Sequence, residues 1–105
     1  GDGDDCLLLE LVEMFLRDGP ERILTLRAAL AAQDANAVQM ISHALKGSSR
    51  NIGAAKFADY CQTLEAAAKA DNIANAGGIA DAIEAEFAKV HSTFQEFLST
   101  EGKTT

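Results

Sequence analysis

One short stretch of the sequence has residue types and spacings that suit chemistry on a phosphoryl group. Lys46 and Arg50 follow His43 by three and seven residues, so in a helix all three side chains lie on one face. A neutral imidazole is a good nucleophile near neutral pH because its unperturbed pKa is about 6.5. The two cations can neutralise phosphoryl oxygens. The stretch therefore indicates a histidine that accepts a phosphoryl group.

Gly47 follows Lys46 directly and lies inside the same predicted helix. Glycine in a helix interior costs roughly 1 kcal/mol relative to alanine, so its presence needs a reason. A missing Cβ beside His43 lets the active site of another protein approach the imidazole closely. We interpret Gly47 as clearance for a partner protein.

The elements that position these residues are all predicted to be helices, from the spacing of apolar residues and from the residues that begin and end each element. Five helices are expected: Cys6 to Arg17, ended by Asp18-Gly19-Pro20; Pro20 to about Gln33; a third capped by Asp34 and ended by Gly53; about Ala55 to Ala70; and a long helix after Gly77-Gly78. The predicted class is all-α, an antiparallel four-helix bundle with an additional N-terminal helix packed across it.

The apolar stripe of the third helix determines where His43 points. The stripe consists of Val38, Ile41, Leu45, Ser48 and Ile52. At ~100° per residue, His43 points about 180° from the centre of this stripe. We therefore expect the imidazole to face water, together with Lys46 and Arg50. The stripes of the two following helices are Phe57, Tyr60, Cys61, Leu64 and Ala68, and then Ile83, Phe87, Val90, Phe94, Phe97 and Leu98.

The length of 105 residues predicts a single domain over 1–105, with a disordered leader at 1–5 and a frayed tail at 101–105. The formal charge of −7 argues against binding to nucleic acid or to an anionic membrane surface. That charge is unevenly distributed, because no acidic residue lies between Asp34 and Asp59 while Lys46, Arg50 and Lys56 do. The result is a local basic window around His43.

Several other classes of site are excluded by the sequence. Cys6 and Cys61 lack the spacing of a zinc site or a disulfide scaffold, so we read them as reduced thiols of a cytoplasmic protein. Met40 and Ala88 stand three residues before the two histidines, where a di-metal helical bundle needs glutamate, so no metal site is expected. His91 is expected at the core boundary. No run of about eighteen apolar residues suggests a membrane span.

The residues around His43 resemble a known family, the histidine-containing phosphotransfer (HPt) domains of two-component multistep phosphorelays. The motifs that carry the resemblance are His43-Ala44-Leu45-Lys46-Gly47-Ser48-Ser49, Ile52-Gly53-Ala54, Leu64-Glu65 and Phe15-Leu16-Arg17-Asp18-Gly19-Pro20. The Ser-Ser pair and the Ile-Gly-Ala ending favour the hybrid sensor kinase type over the chemotaxis kinase type. The resemblance extends loosely over nearly all of the chain.

The resemblance implies a role for each residue of the site. His43 would be phosphorylated, Lys46 would assist and Gly47 would clear the approach, with Arg50 in support. Either Gln62 or Glu65, on the next helix, would orient the imidazole by a hydrogen bond. The implied docking residues are Leu9, Met14 and Gln39.

The implied function is that of a phosphocarrier, which accepts a phosphoryl group on His43 from a receiver-domain aspartate and passes it to another receiver. The carrier would be a monomer with no cofactor and no ATP-dependent kinase activity of its own, and Mg²⁺ would sit on the receiver. Its partners would be response-regulator receivers and, where the domain is part of a hybrid kinase of the membrane, that kinase. The alternative is a helical module that binds a receiver or kinase without phosphotransfer.

Overall fold

Four helices make up the computed structural model, which describes the backbone of residues 2–103 and the side chains of residues 6–99. The helices are α1 (Asp2–Ala31), α2 (Ala35–Asn51), α3 (Ala55–Lys69) and α4 (Gly77–Lys103). The predicted all-α class is confirmed. The sequence predicted a disordered leader over 1–5 and a frayed tail over 101–105, but the backbone of residues 2–5 belongs to α1 and that of residues 101–103 to α4. Gly1, Thr104 and Thr105 lie outside the described residues.

Consecutive helices run antiparallel and close into a ring, in which α1 contacts α2 and α4, and α3 contacts the same two helices. The pairing of α1 with α4 shows the direction, because Gly19 lies against Phe87 whereas Arg27, two turns later, reaches Asp81, earlier in α4. The rings of Phe15, Phe57 and Phe87 meet in the core with centroids 5.3 to 6.1 Å apart. Short connections of an up-and-down bundle produce this arrangement.

The predicted break at Asp18-Gly19-Pro20 is wrong, because α1 runs without interruption through Pro20. The segment predicted as an additional helix across the bundle is the N-terminal part of α1. A proline inside a helix removes one hydrogen bond and crowds the preceding residue. Gly19 relieves that crowding since it has no Cβ. Apolar residues on both sides of the proline then bury one continuous face: Val12, Phe15, Leu16, Ile23, Leu26 and Leu30.

Gly19 also permits close packing of α1 on α4. A Cβ at this position would lie 2.6 Å from Phe87 Cζ, so the ring would have to move. We expect Gly19→Ala to lower the free energy of unfolding by about 1–3 kcal/mol through overpacking. Gly47→Ala is the matched control, because an added Cβ there has no atom within 4 Å, and it should stabilise by about 1 kcal/mol through helix propensity. Thermal denaturation of both variants tests this; equal gains in stability would contradict the packing assignment.

The ends of α2 agree with the sequence prediction. The Asp34 side chain accepts a hydrogen bond from the Ala37 backbone N–H at 3.1 Å, which caps the helix. Gly53 has φ +78°, the left-handed conformation that ends a helix and that glycine adopts without strain. These two residues determine where α2 begins and ends.

The face that α2 buries is rotated from the predicted stripe. Ser42 and Ser49 are fully buried, whereas Ile41 and Ser48, which the prediction placed in the seam, are only half-buried. Small serine side chains allow close contact with a neighbouring helix, which hydropathy alone does not reveal. The centre of the buried face shifts by roughly 40°, so His43 points about 140° from it and turns toward α3.

The predicted stripes of α3 and α4 face the core, although Tyr60, Phe94 and Leu98 are only half-buried. Cys61 is fully buried, and burial raises the pKa of its thiol to about 12. His91 is half-buried beside Phe87, as expected for a boundary residue. Phe97, predicted to lie on the buried stripe of the last helix, is 39 % exposed, because α4 extends past the point where the shorter α3 can cover it. Within the described residues, no helix combines the length and apolar character needed to cross a bilayer.

Candidate functional site

His43 presents its imidazole to solvent from the middle of α2, and among the side chains of residues 6–99 it is hydrogen-bonded through one nitrogen only. The side chain is 69 % exposed, and Nδ1 lies 2.9 Å from Glu65 Oε2 on α3. An ionised carboxylate only accepts hydrogen bonds, so Nδ1 carries the proton in this contact. In the neutral ring the lone pair is then on Nε2. The accessible nitrogen is therefore the nucleophilic one.

Glu65 is the buried centre of the site, with a side chain only 3 % exposed. Lys46 Nζ lies 2.5 Å from Oε1, and His43 Nδ1 and Lys69 Nζ lie 2.9 and 3.6 Å from Oε2. The hydrogen bond from Lys46 lowers the pKa of Glu65 to about 2; burial opposes this shift and the His43 contact assists it. The carboxylate is thus ionised at neutral pH and orients the imidazole by charge and by hydrogen bonding.

Lys46 is not on the solvent-facing strip predicted from the sequence. Its side chain is 13 % exposed, and Nζ also donates to Gln62 Oε1 at 3.1 Å. The difference arises because the face that α2 buries is not the predicted stripe. With the observed buried face, Lys46 points toward α3, where the buried Glu65 supplies a counter-charge. An ammonium group out of water is stable only when it is paired in this way.

The choice between Gln62 and Glu65, which the sequence left open, has a clear geometric answer. Glu65 contacts the imidazole, while Gln62 contacts Lys46. The two residues lie three positions apart on α3, so both face α2, one turn from each other. Gln62 holds the lysine that in turn pairs with the carboxylate.

Gly47 and Arg50 lie outside this cluster of hydrogen bonds. Gly47 is exposed, and a Cβ built on it has no protein atom within 4 Å, so packing within the chain does not require glycine. Arg50 is exposed in the last turn of α2, and its side chain makes no ion pair with any side chain described over residues 6–99. It does not line the cleft beside His43.

The three predicted docking residues do not form one patch. Gln39 lies in the cleft beside His43, and the exposed Met14 lines a separate groove between α1 and α2 with Leu45 and Ser48. Leu9 is half-buried on α1 and lines neither. The structure thus places Gln39 and Met14 in two different clefts and Leu9 in neither, and a docking role for the three residues stays a prediction.

Two residues beside His43 were missed by the sequence prediction. The cleft of about 420 Å³ next to the imidazole is lined by Gln39, Met40, His43, Glu65 and Lys69. Met40 is 66 % exposed one turn before His43. Lys69 stands four residues after Glu65, a spacing at which opposite charges meet on a helix, and that signal was present in the sequence. Among the described residues, no cluster of three potential metal ligands occurs.

Comparison with known proteins agrees with this geometry. The family model described as "Hpt domain" matches residues 10–93. The crystal structure of histidine-containing phosphotransfer protein B from Pseudomonas aeruginosa PAO1 is similar with a TM-score of 0.80 and 38 % sequence identity, over 84 % of this chain and 76 % of that one. No curated protein sequence gives a significant match. The family match spans most of the chain and includes His43, Lys46, Gly47 and Glu65, so the protein belongs to the Hpt domain family and is a phosphotransfer carrier of phosphorelays.

Proposed function

We propose that His43 accepts a phosphoryl group on Nε2 from the aspartyl phosphate of a receiver domain and returns it to the aspartate of another receiver. The observation that carries the proposal is the contact between His43 Nδ1 and Glu65 Oε2 at 2.9 Å. This contact keeps the proton on Nδ1 and leaves the exposed Nε2 free to react.

The transfer step balances without water or a further reactant. The Nε2 lone pair attacks phosphorus, and the P–O bond to the receiver aspartate breaks as the N–P bond forms. The carboxylate leaves with the bonding electrons, while the Nδ1 proton remains hydrogen-bonded to Glu65. In onward transfer a carboxylate oxygen attacks phosphorus, and the N–P electron pair returns to Nε2.

Glu65 assists this chemistry as a positioning residue. Phosphorylation of Nε2 gives the imidazole ring a positive charge, and the ionised carboxylate beside Nδ1 stabilises that charge. A carboxylate that is held by Lys46 and buried cannot turn away toward water. The ring is therefore held in one orientation before the receiver arrives, which lowers the cost of alignment.

The receiver is expected to supply the reactive aspartate and the Mg²⁺ that screens the phosphoryl charge. The acidic pocket that binds Mg²⁺ on a receiver complements the basic window around His43. The residues that line the cleft with His43 come from α2 and α3. The carrier is proposed to act as a monomer without ATP-dependent activity of its own. Its partner is any receiver of the phosphorelay, whether on a separate protein or on its own kinase.

Gly47 is proposed to provide the space into which the receiver moves. A long side chain at this exposed position projects beside the imidazole, so we expect Gly47→Gln to slow transfer from a phosphorylated receiver at least tenfold. Helix content and thermal stability should be unchanged or slightly higher, since glutamine favours helix. Gly47→Ala adds only a Cβ and should retain more of the rate. Rapid transfer by Gly47→Gln would argue against a steric role.

The test of the function is transfer of radiolabelled phosphate. Receiver domains encoded in the same genome are phosphorylated, freed of donor and mixed with this protein, and label on each chain is followed with time. We expect label on this protein that is acid-labile and base-stable, as a phosphohistidine is, and that moves on to a second receiver. If no receiver transfers label but one binds, the alternative of an interaction module without phosphotransfer is supported.

A further inference from the structure

Lys69 is the charged residue beside His43 for which the motif around the histidine gives no role. It is the last residue of α3, and its Nζ lies 3.6 Å from Glu65 Oε2, the oxygen that also contacts His43 Nδ1. It lines the same cleft as the imidazole. The site thus has a second cation besides the buried Lys46, and this second cation, Lys69, lies on the side that is open to solvent.

The two lysines differ in how firmly Glu65 holds them. Lys46 is 13 % exposed and makes two hydrogen bonds, at 2.5 and 3.1 Å. Lys69 is 59 % exposed, and 3.6 Å is too long for a hydrogen bond. Moving Lys46 away would leave a buried carboxylate without its main partner, whereas an exposed ion pair such as that of Lys69 separates at little cost.

A phosphoryl group on Nε2 brings two negative charges to the mouth of the cleft. The ammonium group of lysine is carried on a flexible four-carbon stem, so Lys69 can move from Glu65 to the phosphoryl oxygens. Lys46 stays on Glu65 and keeps the carboxylate compensated once Lys69 has left. The charges that surround the phosphoryl group are then those of His43, Glu65, Lys46 and Lys69.

We propose that Lys69 is the cation that contacts the phosphoryl oxygens of phosphorylated His43, while Lys46 remains paired with Glu65. This assignment rests on the proposed function, because it concerns the phosphorylated form of the same histidine. It divides between two lysines the tasks of orienting the imidazole and binding the phosphoryl group.

The test uses the protein phosphorylated chemically with phosphoramidate, which transfers its phosphoryl group to histidine as ammonia leaves. Phosphorus NMR then follows the ionisation of the phosphoryl group with pH, with no receiver present. A contacting ammonium favours the dianion, so we expect Lys69→Ala to raise the phosphoryl pKa by about half a unit and Lys69→Arg to restore it. Transfer to a receiver should slow about tenfold in Lys69→Ala.

Lys56→Ala is the charge-matched control. Lys56 is exposed near the start of α3, thirteen residues before Lys69 and about 20 Å away along the helix. A phosphoryl pKa that is unchanged in Lys69→Ala, or raised equally in Lys56→Ala, would overturn the assignment. Thermal stability should change little in both variants. Because the NMR titration needs no receiver, its result is separate from that of the transfer assay, whose failure would count against the proposed function.

Discussion

His43→Gln should carry no transferable phosphoryl group, while its fold is retained. Glutamine preserves an N–H donor for Glu65 but has no nucleophilic lone pair at the position of Nε2. The side chain is 69 % exposed, so the substitution leaves the core packing unchanged. We expect transferred label to fall to background in the receiver assay, with circular dichroism and thermal denaturation close to those of the unmodified protein.

The matched control for this prediction is His91→Gln, since the described side chains contain only these two histidines. His91 lies half-buried on α4 beside Phe87 and has no carboxylate partner among the side chains of residues 6–99. The His91→Gln variant should accept label at the same rate as the unmodified protein. Retention of acid-labile label in His43→Gln, or its loss in His91→Gln, would show that the phosphorylated residue is misassigned.

Lys46→Met should lower the stability of the bundle markedly, although the sequence placed Lys46 on the polar face. The substitution keeps most of the side-chain volume but removes the main partner of a carboxylate that is 3 % exposed. Breaking a buried ion pair by removing one partner costs about 3 kcal/mol or more. For a domain of this size that corresponds to a fall in Tm of about 10–20 °C. Lys56→Met, at an exposed site, should change stability by about 0.5 kcal/mol at most.

The pH dependence of the free energy of unfolding gives a second test of the Lys46→Met prediction. The pKa of Glu65 is lowered from 4.5 to about 2 in the folded state, so its contribution to stability is fully present above about pH 4.5 and is lost as the pH falls toward 2. In Lys46→Met, burial without the lysine raises that pKa instead. The stability difference between the two proteins should therefore narrow on acidification.

A further variant separates charge from packing. Removing the carboxylate as well, in the double variant Lys46→Met with Glu65→Gln, eliminates the unpaired buried charge and should recover part of the lost stability. Urea denaturation at several pH values measures all three proteins. A constant difference across pH, or a double variant no more stable than Lys46→Met, would show that the ion pair with Glu65 does not account for the loss of stability.

Local sequence signals predicted both ends of α2 correctly. Asp34 and Gly53 act on backbone groups within a few residues of themselves, so their effects are visible without knowledge of the fold. The break predicted at Pro20 failed for the opposite reason. Whether a proline ends a helix depends on what the flanking residues bury, and here α1 buries apolar residues on both sides of it against other helices.

The sequence by itself determined the helical class, the phosphoryl chemistry expected at His43 and the partner clearance expected at Gly47, because these depend on residue type and on spacing along one helix. Only the tertiary structure decided that Glu65 contacts the imidazole, that Lys46 is withdrawn from water and that Lys69 enters the site. The contacts of Glu65 with Lys46 and His43 join α3 to α2 across 19 and 22 residues of chain, and Lys69 reaches the site through its i,i+4 pairing with Glu65 within α3. The contacts between α2 and α3 depend on which face α2 buries. Ser42 and Ser49 lie on that buried face, and a hydropathy pattern does not predict that serines are buried.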